Sequence, residues 1–407
     1  MRFAASVLVL SLLAGPALAQ EMAPPTAREL ARIDRILHTT PLIDGHNDAP
    51  WEIRDNHGNA LDNVDFNSDT RLLAPPMHTD WPRMRQGRVG GQFWSVYVSA
   101  DLRGADSTRA VHEQIDLTRR MIQRYPDVLE LASTADDVVR IHRRGRIASM
   151  FGIEGGEAID GNLAVLREFY ASGVRYMTLT HSKTTAWCDS ATDAPRHGGL
   201  SPFGEEVVRE MNRVGMLVDL SHVSADAMRD ALRVSTAPVI FSHSSAFGIT
   251  PHVRNVPDDV LEMVRDNGGV MMVNFYPGFT STEFWNYDAT RNAEEARIKS
   301  FNRADPDAVE RLLAEWTAAH PGPRVDVGVI ADHIEYIGRV AGRDHVGLGS
   351  DFDGVPFLPV GLDGVEDYPA LLVELARRGW TDREIAGVAG GNVLRVMRQA
   401  EAVAARS

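Results

Sequence analysis

Eight short runs of β-branched and aromatic residues, most of them followed by a stretch of helical spacing, constrain this chain more than its composition does. The runs begin at Leu42 and then cover 90–98, 148–153, 176–180, 217–220, 239–242, 269–274 and 346–349. Helical stretches fall at 162–171, 204–214, 224–234 and 257–267. Earlier, Val111, Ile115, Thr118 and Ile122 form one stripe, and Thr134 with Asp137 resembles a capping box. Eight strand–helix units predict a (β/α)8 TIM-type barrel, a fold that holds a chain of this length as one domain. A doubly wound open sheet is the alternative, but no Gly-rich phosphate loop follows the first strand. Residues 280–342, between the seventh and eighth runs, carry at least two helices, one with Ile330, Ile334 and Ile337 on a stripe. They are predicted to form a helical insertion at the barrel mouth.

The start of the chain reads differently. Arg2, an apolar run over 3–13 and Ala17-Leu18-Ala19 have the parts of a secretory signal, so residues 1–19 are expected to be a signal peptide and 20–407 a single domain. The apolar run is too short to span a bilayer and no lipid-anchor pattern closes the chain, so no membrane anchor is expected in the mature protein. Export across the inner membrane to the periplasm is the expected location. Removing Arg2, the only charge in that segment, takes the formal net charge from −14 to −15. Such an acidic surface disfavours nucleic acid as a partner. Cys188 is the only cysteine, so no internal disulfide can form, and stability must come from packing and from metal.

What ends the runs carries the chemistry. The first closes on His46-Asn47-Asp48, and residues two apart in an extended chain face the same way, which brings an imidazole and a carboxylate together. Alone, that pair could be a loop histidine and a turn residue before Pro50. The third run closes with Glu154-Gly155-Gly156, the fourth with His181, the fifth with His222, the sixth with His243 and the eighth with Asp351-Phe352-Asp353. In a barrel these ends meet on one rim, where groups that do chemistry are found. His46, Asp48, Glu154, His222 and His243 offer five ligands for two divalent ions, and a bridging carboxylate is needed to hold such ions close. Glu154 is the natural candidate.

At these residues the sequence resembles the membrane (renal) dipeptidases, zinc-dependent enzymes of the amidohydrolase-like metal-dependent barrels. The resemblance runs from about Ile33 to about Met397. It rests on Ile43-Asp44-Gly45-His46-Asn47-Asp48, Gly90-Gly91-Gln92-Phe93-Trp94-Ser95, Glu154-Gly155-Gly156, Leu179-Thr180-His181-Ser182, Asp219-Leu220-Ser221-His222, Ser242-His243-Ser244-Ser245-Ala246, Arg254-Asn255-Val256 and Gly349-Ser350-Asp351-Phe352-Asp353-Gly354. It implies two zinc ions per chain, one on His46 and Asp48, the other on His222 and His243, with Glu154 bridging. It further implies that His181, Arg254 and Asp351 act on substrate: His181 at the oxyanion, Arg254 at the free carboxylate of a dipeptide, and Asp351 as proton carrier. Two zinc ions sharing a water would lower its pKa and generate the attacking hydroxide. Tyr276, after the seventh run, is a further substrate-side candidate. A homodimer is the assembly the resemblance suggests.

His333, His78 and His197 fall away from strand ends and are expected to be structural or on the surface. Cys188 is expected to be a buried or half-buried thiol, and Gly390-Gly391-Asn392 a turn leading into a helix. Glu157 stands where the family often has histidine, and Lys183 follows His181-Ser182 where a small or thiol side chain is usual; both could alter the pocket. Two other functions remain in view. One is a related binuclear-metal amidohydrolase acting on another amide, an N-acyl amino acid or a β-lactam; the other is a non-enzymatic periplasmic binding protein on the same fold.

Overall fold

A computed structural model describes residues 23–406; the expected signal segment lies outside them. The strands are β1 (Leu42–Asn47), β2 (Val89–Ser95), β3 (Leu129–Leu131), β4 (Ile147–Glu154), β5 (Val174–Thr178), β6 (Leu217–Asp219), β7 (Ile240–Ser244), β8 (Val270–Val273) and β9 (Val346–Leu348). Hydrogen bonding runs in the order β2-β1-β9-β8-β7-β6-β5-β4, and a parallel β2–β4 pairing closes the ring into an eight-stranded barrel. The short β3 was not among the eight expected strands. It pairs with the first residues of β4, outside the ring. β1, β2 and β4 are buried along their whole length, including the polar residues at their C-terminal ends. Gly152 shows how tightly the interior is filled: a Cβ there would lie 2.0 Å from the Tyr176 ring, which occupies that space.

Helices wrap the barrel, and local side chains set their starts. Thr134 and Asp137 form the expected capping box, while Asn162, Ser201 and Ser224 each cap the helix that follows by accepting a backbone N–H. The segment between β8 and β9 requires a correction. Its helices Thr282–Phe301 and Pro306–Ala319 do form an insertion, but the helix Val327–Val340 packs on β8, β9 and the helix Asp258–Asn267 as one of the barrel's own outer layer. Ile330, Ile334 and Ile337 are its buried stripe, and His333 beside them accepts a hydrogen bond from Ala246 N through Nδ1. The chain after β9 closes the base through a π-helical turn at 387–391 and the helix Asn392–Ala404. Asn392 donates to the carbonyls of Arg343 and Val346, pinning that turn beneath the barrel. Among the described residues no helix is long and apolar enough to cross a membrane.

Candidate active site

The C-terminal rim gathers every expected ligand. Glu154, at the end of β4, is buried at the centre, and its two oxygens face different partners. Oε1 lies 2.8 Å from His222 Nε2 and 3.3 Å from His243 Nε2, while Oε2 lies 3.4 Å from His46 Nε2. Asp48 Oδ2 is 3.1 Å from His46 Nε2, so the i, i+2 geometry expected at the end of β1 is realised. His181 Nε2 stands 3.8 Å from Glu154 Oε1, and Asp351 Oδ1 3.9 Å from His46 Nε2. Three overlapping groups of side chains are each compact enough to hold an ion: His46, Glu154 and His243; Glu154, His181 and His222; His46, Asp48 and Asp351. Backbone geometry contributes as well. His222 and Asp351 both have φ of +68°, a left-handed conformation that non-glycine residues adopt at a cost of about 1–3 kcal/mol and that clusters at functional sites.

The hydrogen bonds behind the imidazoles fix which nitrogen faces the site. The Tyr176 hydroxyl donates to the Gly45 carbonyl at 3.2 Å, so at 2.9 Å from His46 Nδ1 its oxygen accepts from that ring. A lone pair is thereby left on His46 Nε2. Ser242 Oγ donates to Asp219 at 2.6 Å and lies 2.8 Å from His243 Nδ1, which orients the second ring in the same sense. His222 Nε2 and His243 Nε2 then stand only 2.8 Å apart. Burial holds both of these imidazoles well below their ordinary pKa, so they are neutral and able to ligate. Burial pushes Glu154 up, but the four imidazoles around it, His46 and His181 before His222 and His243, outweigh that and hold its carboxyl well below the ordinary value. His46 Nε2 and Asp48 Oδ1 are buried without a hydrogen-bond partner. Converging lone pairs and three carboxylates with no protein cation between them fit divalent metal bound through nitrogen and oxygen.

Around this centre is a cleft of about 400 Å³ whose walls include Trp51, Tyr97, Tyr276 and Phe279. The His181 ring packs 4.7 Å from that of Tyr97. Tyr276 lines the cleft with its ring while its hydroxyl donates to Asp288 of the insertion at 2.7 Å. Arg254 is buried behind Phe279, its guanidinium 5.2 Å over that ring, with Nε and Nη1 unpartnered. Burial lowers it to about 10, so it stays cationic at neutral pH. Burial pushes Asp351 up to about 7, His46 opposing and Asp48 and Glu154 adding to the effect, and Asn274 donates to its Oδ2 at 2.8 Å.

Asp44, Tyr176, Asp219 and Asn274 were not singled out in the sequence. Asp44 accepts from Ser350 N and Oγ, each at 2.8 Å, and from Gln92 Nε2 at 2.9 Å, tying β1 to β2 and to the second residue past β9. The usable signal was a carboxylate embedded in an apolar run just before a ligand, at Asp44 before His46 and at Asp219 before His222. The set-aside residues stay apart from the ligands. His78 holds the Asp353 backbone N–H, His197 contacts the Thr185 carbonyl, and Cys188 is buried with its thiol pushed well up by that burial. Of the two departures, Glu157 is half-buried and Lys183 exposed, and neither lines the cleft.

A closed parallel barrel with paired ligand groups on its C-terminal rim defines a metal-dependent hydrolase of the (β/α)8 class. Residues 30–407 match the membrane dipeptidase family, peptidase family M19, and the chain belongs to it. It is therefore a metal-dependent dipeptidase, a hydrolase acting on peptide bonds. Over 381 residues it is 42% identical to the dipeptidase aclJ of Aspergillus oryzae, spanning 91% of this chain and 81% of that one. The fold is shared with the probable dipeptidase PvdM from Pseudomonas aeruginosa at a TM-score of 0.76 and 23% identity, over 93% of this chain and 99% of that chain. It is also shared with a metallopeptidase from Rhodobacter sphaeroides liganded with a phosphinate mimic of the dipeptide L-Ala-D-Ala, at 0.71 and 24% identity, over 89% and 99%.

Proposed function

We propose that the protein is an exported zinc dipeptidase that loses residues 1–19, binds two zinc ions per chain, and cleaves dipeptides bearing a free C-terminal carboxylate. In this reading His46 and Asp48 hold one ion, His222 and His243 the other, and Glu154 spans both. The observation that carries it is the division of Glu154: one oxygen faces His222 and His243, the other faces His46. Zinc bound there supplies Lewis acidity, which lowers the pKa of water and polarises a scissile carbonyl.

The protein's own groups do the rest. Asn274 holds one oxygen of Asp351 and leaves the other toward the ligands, where it takes a proton from the attacking water and returns it to the departing amine. His181, kept neutral by burial, offers a ring N–H to the oxyanion. Arg254 has two unpartnered guanidinium nitrogens for the substrate carboxylate, which favours dipeptides over longer chains. Trp51, Tyr97, Tyr276 and Phe279 shield the reacting bond from bulk water.

The test pairs metal analysis of the mature protein with amino-acid release from a mixed dipeptide panel, for the native chain and for Glu154→Ala. Two zinc per chain and dipeptide cleavage, both lost in the variant, are expected. Full zinc with turnover only of N-acyl amino acids or lactams would replace this reading with the amidohydrolase one. A folded chain that takes up no zinc and hydrolyses nothing would end it.

A further inference from the structure

We propose that the opposite end of the barrel carries a second binding site, a cleft for a small polyvalent anion of the phosphate class. The protein as a whole is acidic, with a formal net charge of −14. Yet a cavity of about 600 Å³, larger than the reaction cleft, opens where β2 and β4 begin and is lined by Arg85, Arg88, Arg143, Arg146, His38 and a single carboxylate, Asp34.

The arginines are not equivalent. Arg88 is already paired, with Nε and Nη2 donating to Asp34 at 2.9 and 3.2 Å. Arg146 lies 2.5 Å from Glu130, but Glu130 is shared with Arg140 at 2.6 Å and with Arg144 at 4.0 Å, so that carboxylate is oversubscribed. The side chains of Arg85 and Arg143 have neither a hydrogen bond nor an ion pair among the described residues. Each sits in the last turn of a helix, Trp81–Gln86 and Ala135–Arg143, where the helix dipole favours a cation. The dipole accounts for the sign of each charge. It does not account for four arginines, from two helix ends and the turns after them, lining one cavity beside a single carboxylate, with Arg85 and Arg143 solvent-exposed there.

Guanidinium forks match the oxygens of a phosphate group, and two free forks suit a divalent anion. A concave cleft favours a small molecule over the flat headgroup plane of a bilayer. The cleft lies at the starting ends of the strands, and the seven residues of β2 at about 3.3 Å each put it roughly 20 Å from the ligand rim. Occupancy there should stabilise the fold by mass action without competing with substrate.

The test titrates pyrophosphate into the zinc-loaded mature protein by calorimetry at about 0.15 M salt, where diffuse surface charge is screened. One saturable event per chain is expected. In Arg85→Ala/Arg143→Ala it should weaken by about tenfold or more, while dipeptide turnover stays at the native level. Equal binding to the native and doubly substituted chains would assign the anion to the metal centre and overturn the proposal, as would no saturable binding to the native chain. Flotation with phosphatidylglycerol vesicles forms the second arm. Arginine-dependent flotation that persists in saturating pyrophosphate would make a lipid surface the ligand and overturn the small-anion assignment.

Discussion

Tyr176→Phe isolates the least visible part of the site. The ring is fully buried against Gly152, and phenylalanine fills the same space, so packing is preserved. What disappears is one oxygen that donates to the Gly45 carbonyl and accepts from His46 Nδ1. Two hydrogen bonds are lost and both partners stay buried, which should lower the stability of the metal-free protein by about 2–3 kcal/mol. In the proposed two-zinc site, release of the His46 ring should also weaken metal held at His46 and Asp48 by about 10–100-fold, because a ligand whose far nitrogen is unanchored can take the wrong tautomer. In free energy that is about 1.4–2.7 kcal/mol. The losses separate experimentally: denaturant unfolding of the metal-free chains reads the first, and zinc retention against a graded chelator reads the second. If two zinc ions are bound as proposed, only the one at His46 and Asp48 should become easier to remove, since His222 and His243 are oriented without this tyrosine. A variant that loses stability yet retains zinc against the chelator as the native protein does would refute the orienting role and leave Tyr176 as core filling.

Two further substitutions probe the scaffold. Gly152→Ala places a methyl group 2.0 Å from the Tyr176 ring inside a closed barrel, and should destabilise by about 3 kcal/mol; a thermal melt superposable on the native one would show that the interior yields more readily than its packing indicates. Glu210 is held down to about 2 by hydrogen bonds from Arg213 and then Arg167. Because its folded value is depressed from 4.5, its stabilisation is present at neutral pH and fades as pH falls from about 4.5 toward 2. Glu210→Gln should therefore flatten that part of the stability–pH curve by about 1 kcal/mol, and an unchanged acid limb would contradict it.

The barrel was legible because strands buried on both faces must be apolar throughout, so a polar group at their ends stands out. His46, Glu154 and His243 were visible for that reason, and Asp48 followed from the two-residue period of an extended chain. Local pattern could not reveal what a helix covers. The stripe Ile330, Ile334 and Ile337 correctly indicated a helix with one apolar face, but the same stripe would serve an insertion or the barrel wall, and only tertiary contact assigns it to the wall. Tyr176 illustrates the same limit inside the site. Its sequence position is that of an ordinary strand residue 130 positions from His46, and its role exists only because glycine at position 152 leaves room for the ring to cross the barrel. Asp44 and Asp219 were open to detection, since an ionised carboxylate inside an apolar strand must find several donors or raise its pKa, and both are pushed upward by burial while their donors oppose it. A charged residue that breaks an apolar run two or three positions before a candidate metal ligand therefore points to a buried orienting carboxylate, and the donors that satisfy it come from other strands, Ser242 within β7 and Ser350 just past β9.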